Sequence, residues 1–342
     1  MTKERQSNIE LLRIIIMFMV VVLHFVGHNA LSSDQTFHLT DRNWISANIL
    51  ESMSVCAVDC FVLISGYFTI KFSLRKVVLF LLPIAFYELV LSVIFYNFYH
   101  TISFTPFNYW FVKPYFLLIL IAPFFNAGLS ALGKVKTAFF CIVCIVLSYC
   151  NTPLSDGAGK TFQVFILLYA IGYYLGHYMK FDVSKKVWLR MFEASSALIF
   201  IETLVLELLG RYSGVRSVSY NYNSIFVIAA AVSLLMFFSK LSIKSRFINW
   251  VGSSTFFVYI ISENKNMYMS PYGMYDILNV REWSANVSYP LLIVGASVCV
   301  FMTCILVDKL RLAMGGAKIE NIVGKLCDDF ENRIINYLTI KL

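Results

Sequence analysis

About ten stretches of this chain are apolar for long enough to cross a bilayer as helices. They lie near residues 9–27, 46–66, 77–99, 108–125, 137–150, 161–178, 190–209, 222–238, 249–262 and 288–307. Lipid offers no water to backbone N–H and C=O groups, so a spanning chain must form helices or a closed barrel, and continuous apolar runs of ~20 residues select helices. The expected fold is an all-α membrane protein, a bundle of about ten transmembrane helices. Composition agrees: 59% of residues are hydrophobic and only 14% charged, where soluble domains carry roughly 25% charged residues.

The basic residues give the bundle a direction. With the N-terminus in the cytoplasm, Lys3, Arg5, Arg13, Lys71, Arg75, Lys76, Lys134, Lys136, Lys180, Lys185, Lys186, Arg190, Lys240, Lys244, Arg246 and the basic residues after 307 all fall on the cytoplasmic side. Only Arg42, Lys160, Arg211, Arg216, Lys265 and Arg281 fall opposite, and Lys113 lies within the fourth span. The positive-inside rule thus predicts an even number of spans, both termini cytoplasmic, in a multi-pass protein of the cytoplasmic (inner) membrane. The same distribution accounts for the net charge of +8 without a nucleic-acid partner, because the cations form no domain-wide face. Arg13 interrupts the first apolar run, so that run reads as an uncleaved helix.

Residues 1–310 read as one transmembrane domain and 311–342 as a cytoplasmic amphipathic tail, in which Ile319, Ile322, Val323, Leu326, Phe330 and Ile334 recur at helical spacing. Cys56, Cys60, Cys141, Cys144, Cys299 and Cys304 fall inside spans and read as small packing residues. The Cys141–Cys144 spacing has no second Cys pair or His partner, so no metal site is expected.

Charge inside a span costs at least ~2.5 kcal/mol at the helix centre, so each instance needs a reason. Arg13 and His24 are eleven positions apart, three helical turns plus about 20°, and share one stripe of the first helix roughly 16 Å apart along its axis. Acidic Glu51, Asp59 and Glu88 follow in the next two spans. Together these residues read as a polar pathway in which His24 is a general base and a carboxylate fixes its tautomer. Glu51 is expected level with His24, and Asp59 deeper, nearer Arg13. Lys71, Arg75 and Lys76, before the third span, are placed to hold a phosphorylated cytosolic ligand. Glu193, Glu202 and Glu207 do not share one face of the seventh span and read as structural.

Three motifs resemble the acyltransferase-3 family of bacterial integral membrane acyltransferases, which O-acetylate surface polysaccharides. The opening helix, RQSNIELLR followed by apolar residues to His24, is similar to that family's first span, with Arg13 and His24 at its arginine and histidine positions. The stretch AVDCFVLISGYF, residues 57–68, resembles its second-span signature through Asp59, Phe61, Ser65 and Gly66. The run NYWFVKPYFLLILIAPFFN, residues 108–126, is similar to its Trp-Phe-Val and Pro-Phe-x-Asn pattern. This chain departs in reading Tyr259, Ile260, Ile261 and Ser262 where members often read Tyr-Leu-Ile-His, and in carrying Lys71, Arg75 and Lys76 where some carry Arg-x-x-Arg.

The resemblance implies transfer of an acyl group, usually acetyl, from acetyl-CoA as co-substrate to a hydroxyl of a cell-surface or lipid-linked glycan, with no bound cofactor. His24 would be the base, Arg13 would assist, and Trp110 would contact substrate. A transporter or flippase using the same intramembrane charges is the alternative; a scaffold whose polar residues only pack helices is a third reading.

Overall fold

Every long apolar run becomes helix, but several helices break where the sequence pattern runs on. The protein is described by a computed structural model covering residues 5–28, 38–100, 104–105, 107–150, 156–179, 183–268 and 273–341. Lys3, Lys180 and the side chain of Arg281, used above as markers of sidedness, lie outside the described residues.

In chain order, α1 (Ser7–Gly27) is followed by α2 (Trp44–Ser54) and α3 (Ala57–Phe68), which share the second run, then α4 (Leu74–Ile94) and the single turn α5 (Tyr96–Tyr99). Next come α6 (Val112–Leu147), α7 (Phe162–His177), α8 (Lys185–Leu208) and α9 (Ile225–Ser239). The ninth run divides into α10 (Arg246–Gly252) and α11 (Thr255–Ser262); the turns α12 (Lys265–Tyr268) and α13 (Met274–Ile277) lead to α14 (Tyr289–Arg311) and α15 (Ala317–Lys341). Taking α2 with α3, α9 with the turn before it, and α14 with α15, six helices among the described residues are long and apolar enough to cross a membrane, and α7 is a shorter apolar helix.

The fourth and fifth runs form one element, α6, reversed at Gly133, whose φ of 70° suits a residue without Cβ. The Phe125 and Phe140 ring centroids lie 6.3 Å apart, whereas fifteen residues of straight helix would separate them by roughly 22 Å. The two halves of α6 therefore fold back on each other.

Helix α1 sits at the centre, packed against α2, α3, α9, α10, α11 and α14. Leu12, Ile16, Phe25 and Val26 are fully buried. A helix enclosed on most sides can carry polar groups into the interior rather than into lipid, which is how α1 accommodates His24.

The closest packing is between α3 and α7. A Cβ on Gly66 would lie 2.1 Å from the Tyr169 carbonyl oxygen, and those on Gly172 and Gly176 would lie 2.3 Å from the carbonyl oxygens of Leu63 and Tyr67. Gly172 and Gly176 form a small-xxx-small pair that lets two backbones approach. Gly66→Ala is therefore expected to cost about 3 kcal/mol, the upper part of the usual overpacking range, because the obstacle is backbone. A melting temperature in detergent that matches the unsubstituted protein would contradict this.

Two polar assemblies join α14 and α15 to the rest. Asp308 is fully buried and accepts hydrogen bonds from Tyr87 Oη at 2.8 Å, from Arg311 Nε at 2.9 Å and from Ser254 Oγ. Arg311 also reaches Glu320 at 2.6 Å. On α15, Asp328 binds Arg75 at 2.7 Å and Glu331 accepts the Leu74 backbone N–H at 3.1 Å. The tail is thus helical and amphipathic, as its spacing predicts, with acidic groups turned toward the bundle. Ile319, Ile322, Leu326, Phe330 and Ile334 stay exposed.

Candidate active site

The last turn of α1 and the C-terminal end of α11 bring together two groups able to move a proton. His24 Nδ1 lies 3.0 Å from Glu263 Oε1, both side chains being mostly buried, and the imidazole stacks against Tyr259 with centroids 6.2 Å apart. Tyr275 Oη donates to the same Glu263 oxygen at 3.3 Å. The contact is an ion pair by distance, Nδ1 having no aligned hydrogen bond among the described residues, and a carboxylate this close stabilises positive charge as the ring takes a proton.

This corrects one expectation. The carboxylate beside His24 belongs to Glu263 rather than Glu51. Glu263 directly follows Ser262, where the sequence motif lacks its expected histidine, and a carboxylate just beyond a short apolar run has no periodic signature. The available signal was its place at the end of STFFVYIISEN, on the same side as His24.

Glu88 holds that end of α11 in place. Its Oε1 accepts from Asn264 Nδ2 and Tyr109 Oη, each at 2.8 Å, and its Oε2 accepts the Thr105 backbone N–H at 3.0 Å. The Glu88 carboxylate therefore ties α4, the segment before α6 and the residue after Glu263 into one network. Glu263→Gln is expected to keep the shape of the site while removing the charge that stabilises an imidazolium, lowering kcat by about 10²-fold with a small change in KM. Steady-state kinetics check this; an unchanged kcat would remove Glu263 from the reaction.

His24 lines a cavity of about 500 Å³ whose wall includes Glu51, Phe61, Trp110, Lys160, Arg216 and Tyr222. Val55, at the break between α2 and α3, also lines it, as do Phe256 and Tyr259 of α11. The interrupted second and ninth runs thus border the same space, where backbone irregularity is tolerated because protein and cavity replace lipid. Glu51 is buried and its Oε2 makes no hydrogen bond among the described residues. Desolvation in the cavity wall pulls the Lys160 ammonium below the ordinary lysine range; the Glu51 carboxylate opposes that shift and Arg216 adds to it.

The remaining sequence-derived residues lie elsewhere. Arg13 pairs with Glu10 at 2.9 Å, its side chain partly exposed, and is not among the residues lining the cavity. Asp59 is fully buried, with neither carboxylate oxygen hydrogen-bonded among the described residues. Lys76 Nζ donates to the Lys71 carbonyl at 2.7 Å, and Arg75 is held by Asp328. Ser262 is buried, its hydroxyl unbonded among the described residues. A second cleft of about 800 Å³, near the N-terminus of α1, is lined by Arg5, Lys244 and Arg246; periodicity gives no hint of it, since its cations come from distant parts of the chain.

The family motifs also have structural work. Gly66 permits the α3–α7 approach. Asn126, of the Pro-Phe-x-Asn pattern, donates to the Ile70 carbonyl at 3.0 Å and accepts from Tyr169 Oη at 2.7 Å, fixing the segment before α4.

Comparison with known proteins agrees with these motifs: the model of the acyltransferase-3 family, described as an acyltransferase domain, matches residues 6–308. No curated protein and no solved structure matches the chain.

Proposed function

We propose that this chain, which belongs to the acyltransferase-3 family, moves an acyl group, acetyl in the simplest case, from acyl-CoA to a hydroxyl of a cell-surface or lipid-linked glycan. The observation that carries the reading is His24 on a cavity wall with Glu263 at its Nδ1. A hydroxyl is a poor nucleophile at neutral pH, and an imidazole within hydrogen-bond reach removes its proton as the oxygen attacks the thioester carbonyl. The carbon–sulfur bond then breaks, and the imidazolium returns its proton to the departing thiolate. Glu263 stabilises the imidazolium between these steps. Family membership favours transfer over the transporter alternative, which uses the same charges without group chemistry.

The topology that fits this chemistry has ten crossings with both termini cytoplasmic, in the inner membrane. It puts Arg5, Arg13, Lys71, Arg75 and Lys76 on the side where polyanionic coenzyme A resides, and His24 toward the other side. Arg13, roughly 16 Å along α1 from His24, is too far to meet an oxyanion there, so a donor-holding role suits it better. Arg75 exchanges Asp328 for phosphate in this scheme, and the Arg5–Lys244–Arg246 cleft offers further cations for the donor. Trp110, on the cavity wall, contacts the acceptor.

Purified protein given labelled acetyl-CoA and glycan from cells lacking the gene tests the reading. Incorporation of label, matched by loss of acetyl esters from that glycan in mass spectra of the deletion strain, is expected. Unaltered acetylation in the deletion strain would contradict it.

A further inference from the structure

Proton transfer at His24 accounts for one wall of the cavity and leaves its charge unexplained. Lys160 and Arg216 both line it, and among the described residues Glu51 is the one carboxylate that does. In the proposed topology the side away from the cytoplasm holds few of the chain's cations, yet two of them border this space.

Lys160 is also held in position. Its Nζ lies 5.2 Å from the centre of the Trp110 ring. The preceding loop is tied down by the Tyr222 backbone N–H donating to the Ala158 carbonyl at 3.1 Å. Gly159, at φ +78°, abuts the same segment so closely that a Cβ would lie 2.7 Å from Asn223 N. Trp110 and Tyr222 stack at 5.3 Å with planes 18° apart, forming an aromatic wall. On the wall of the same cavity, buried Glu51 Oε2 is an acceptor without a hydrogen-bond donor among the described residues. An aromatic face beside a lone carboxylate suits a sugar ring, which offers C–H groups to one and hydroxyl donors to the other. The volume is within the ~300–1,000 Å³ typical of small-molecule sites.

Resting on the acyl-transfer reading above, we infer that the acceptor is an anionic saccharide, a sugar carrying a carboxylate or a phosphate. Lys160 and Arg216 hold its charged group, which draws Lys160 off the Trp110 face and frees that face for the sugar ring, while its hydroxyls meet Glu51. With two cations facing one carboxylate, a ligand bringing negative charge is drawn in and a neutral sugar is not. Both cations are solvent-accessible, so the preference weakens as salt rises.

The test uses the full-length protein in nanodiscs with nitrophenyl β-glycosides of glucose, glucuronic acid and glucose 6-phosphate. Binding is measured by calorimetry without donor, and transfer is measured from labelled acetyl-CoA. The glucuronide or the phosphate is expected to bind about tenfold more tightly than the glucoside, the size of one charge-assisted contact at an accessible site; which of the two leads separates carboxylate from phosphate recognition. The preference is expected to fall to within about twofold in K160Q/R216Q and to survive in Lys160→Arg. Three probes binding alike, or a preference that persists in K160Q/R216Q, would overturn the inference. Equal transfer to all three probes would overturn it and leave acyl transfer standing. Charge-selective binding with no transfer by the unsubstituted protein would keep the cavity as an anionic-saccharide site and remove the acyl-transfer reading.

Discussion

Replacing His24 with Ala is expected to lower kcat/KM for acyl transfer by about 10³-fold while leaving the folded protein intact. General acid–base catalysis by a positioned side chain is worth ~10²–10⁴-fold, and in the proposed reaction one imidazole serves both the attack and the departure of the thiolate. The fold tolerates the loss because His24 is a cavity-lining residue whose polar contact is with Glu263, itself also bonded by Tyr275. Kinetics and a melting curve on the same preparation check both halves. A scaffold whose polar residues only pack helices predicts the opposite pattern, with lost stability and nothing else changed.

A large stability effect is also expected at Asp308. Asp308→Ala removes the acceptor for Tyr87, Ser254 and Arg311 at once, from a position with no solvent access. Breaking a buried ion pair by deleting one partner costs ~3–5 kcal/mol, because the remaining charge stays desolvated. Arg311 keeps Glu320 at 2.6 Å, which places the loss toward about 3 kcal/mol of that range. Removing both charges, as in D308A/R311M, is expected to be milder than D308A alone. Thermal unfolding in detergent reads the series; a double variant less stable than D308A would show that the pair is not the source of the cost.

How much of this was readable beforehand depends on whether a feature repeats along the chain. Apolar length located the helices, since lipid enforces the same requirement on every span. The reversal at Gly133 was hidden because Lys134 and Lys136 mark a turn without revealing its tightness. The break at Val55 was hidden because Val55 and Cys56 continue the apolar run, and the one at Ser253–Ser254 because short hydroxyl side chains between two apolar stretches do not by themselves end a span. His24 was legible as a costly group in an apolar helix, and Trp110 through its motif. Glu263 and the Lys160–Arg216 pair were not, since they come from residues flanking helices, where position follows from tertiary packing. Lys71, Arg75 and Lys76 were visible as a cluster, but only the folded tail shows that Asp328 holds Arg75.

In the proposed reaction an acyl group supplied from the cytoplasmic side is handed to an acceptor hydroxyl at His24. Proteoliposomes of known protein orientation test it most directly, with labelled acetyl-CoA on the side of the termini and the acceptor glycan on the other. The expected result is label on the glycan with the unsubstituted protein, and none above background with His24→Ala. Equal labelling by the two proteins, or no labelling by the folded unsubstituted protein, would contradict the account.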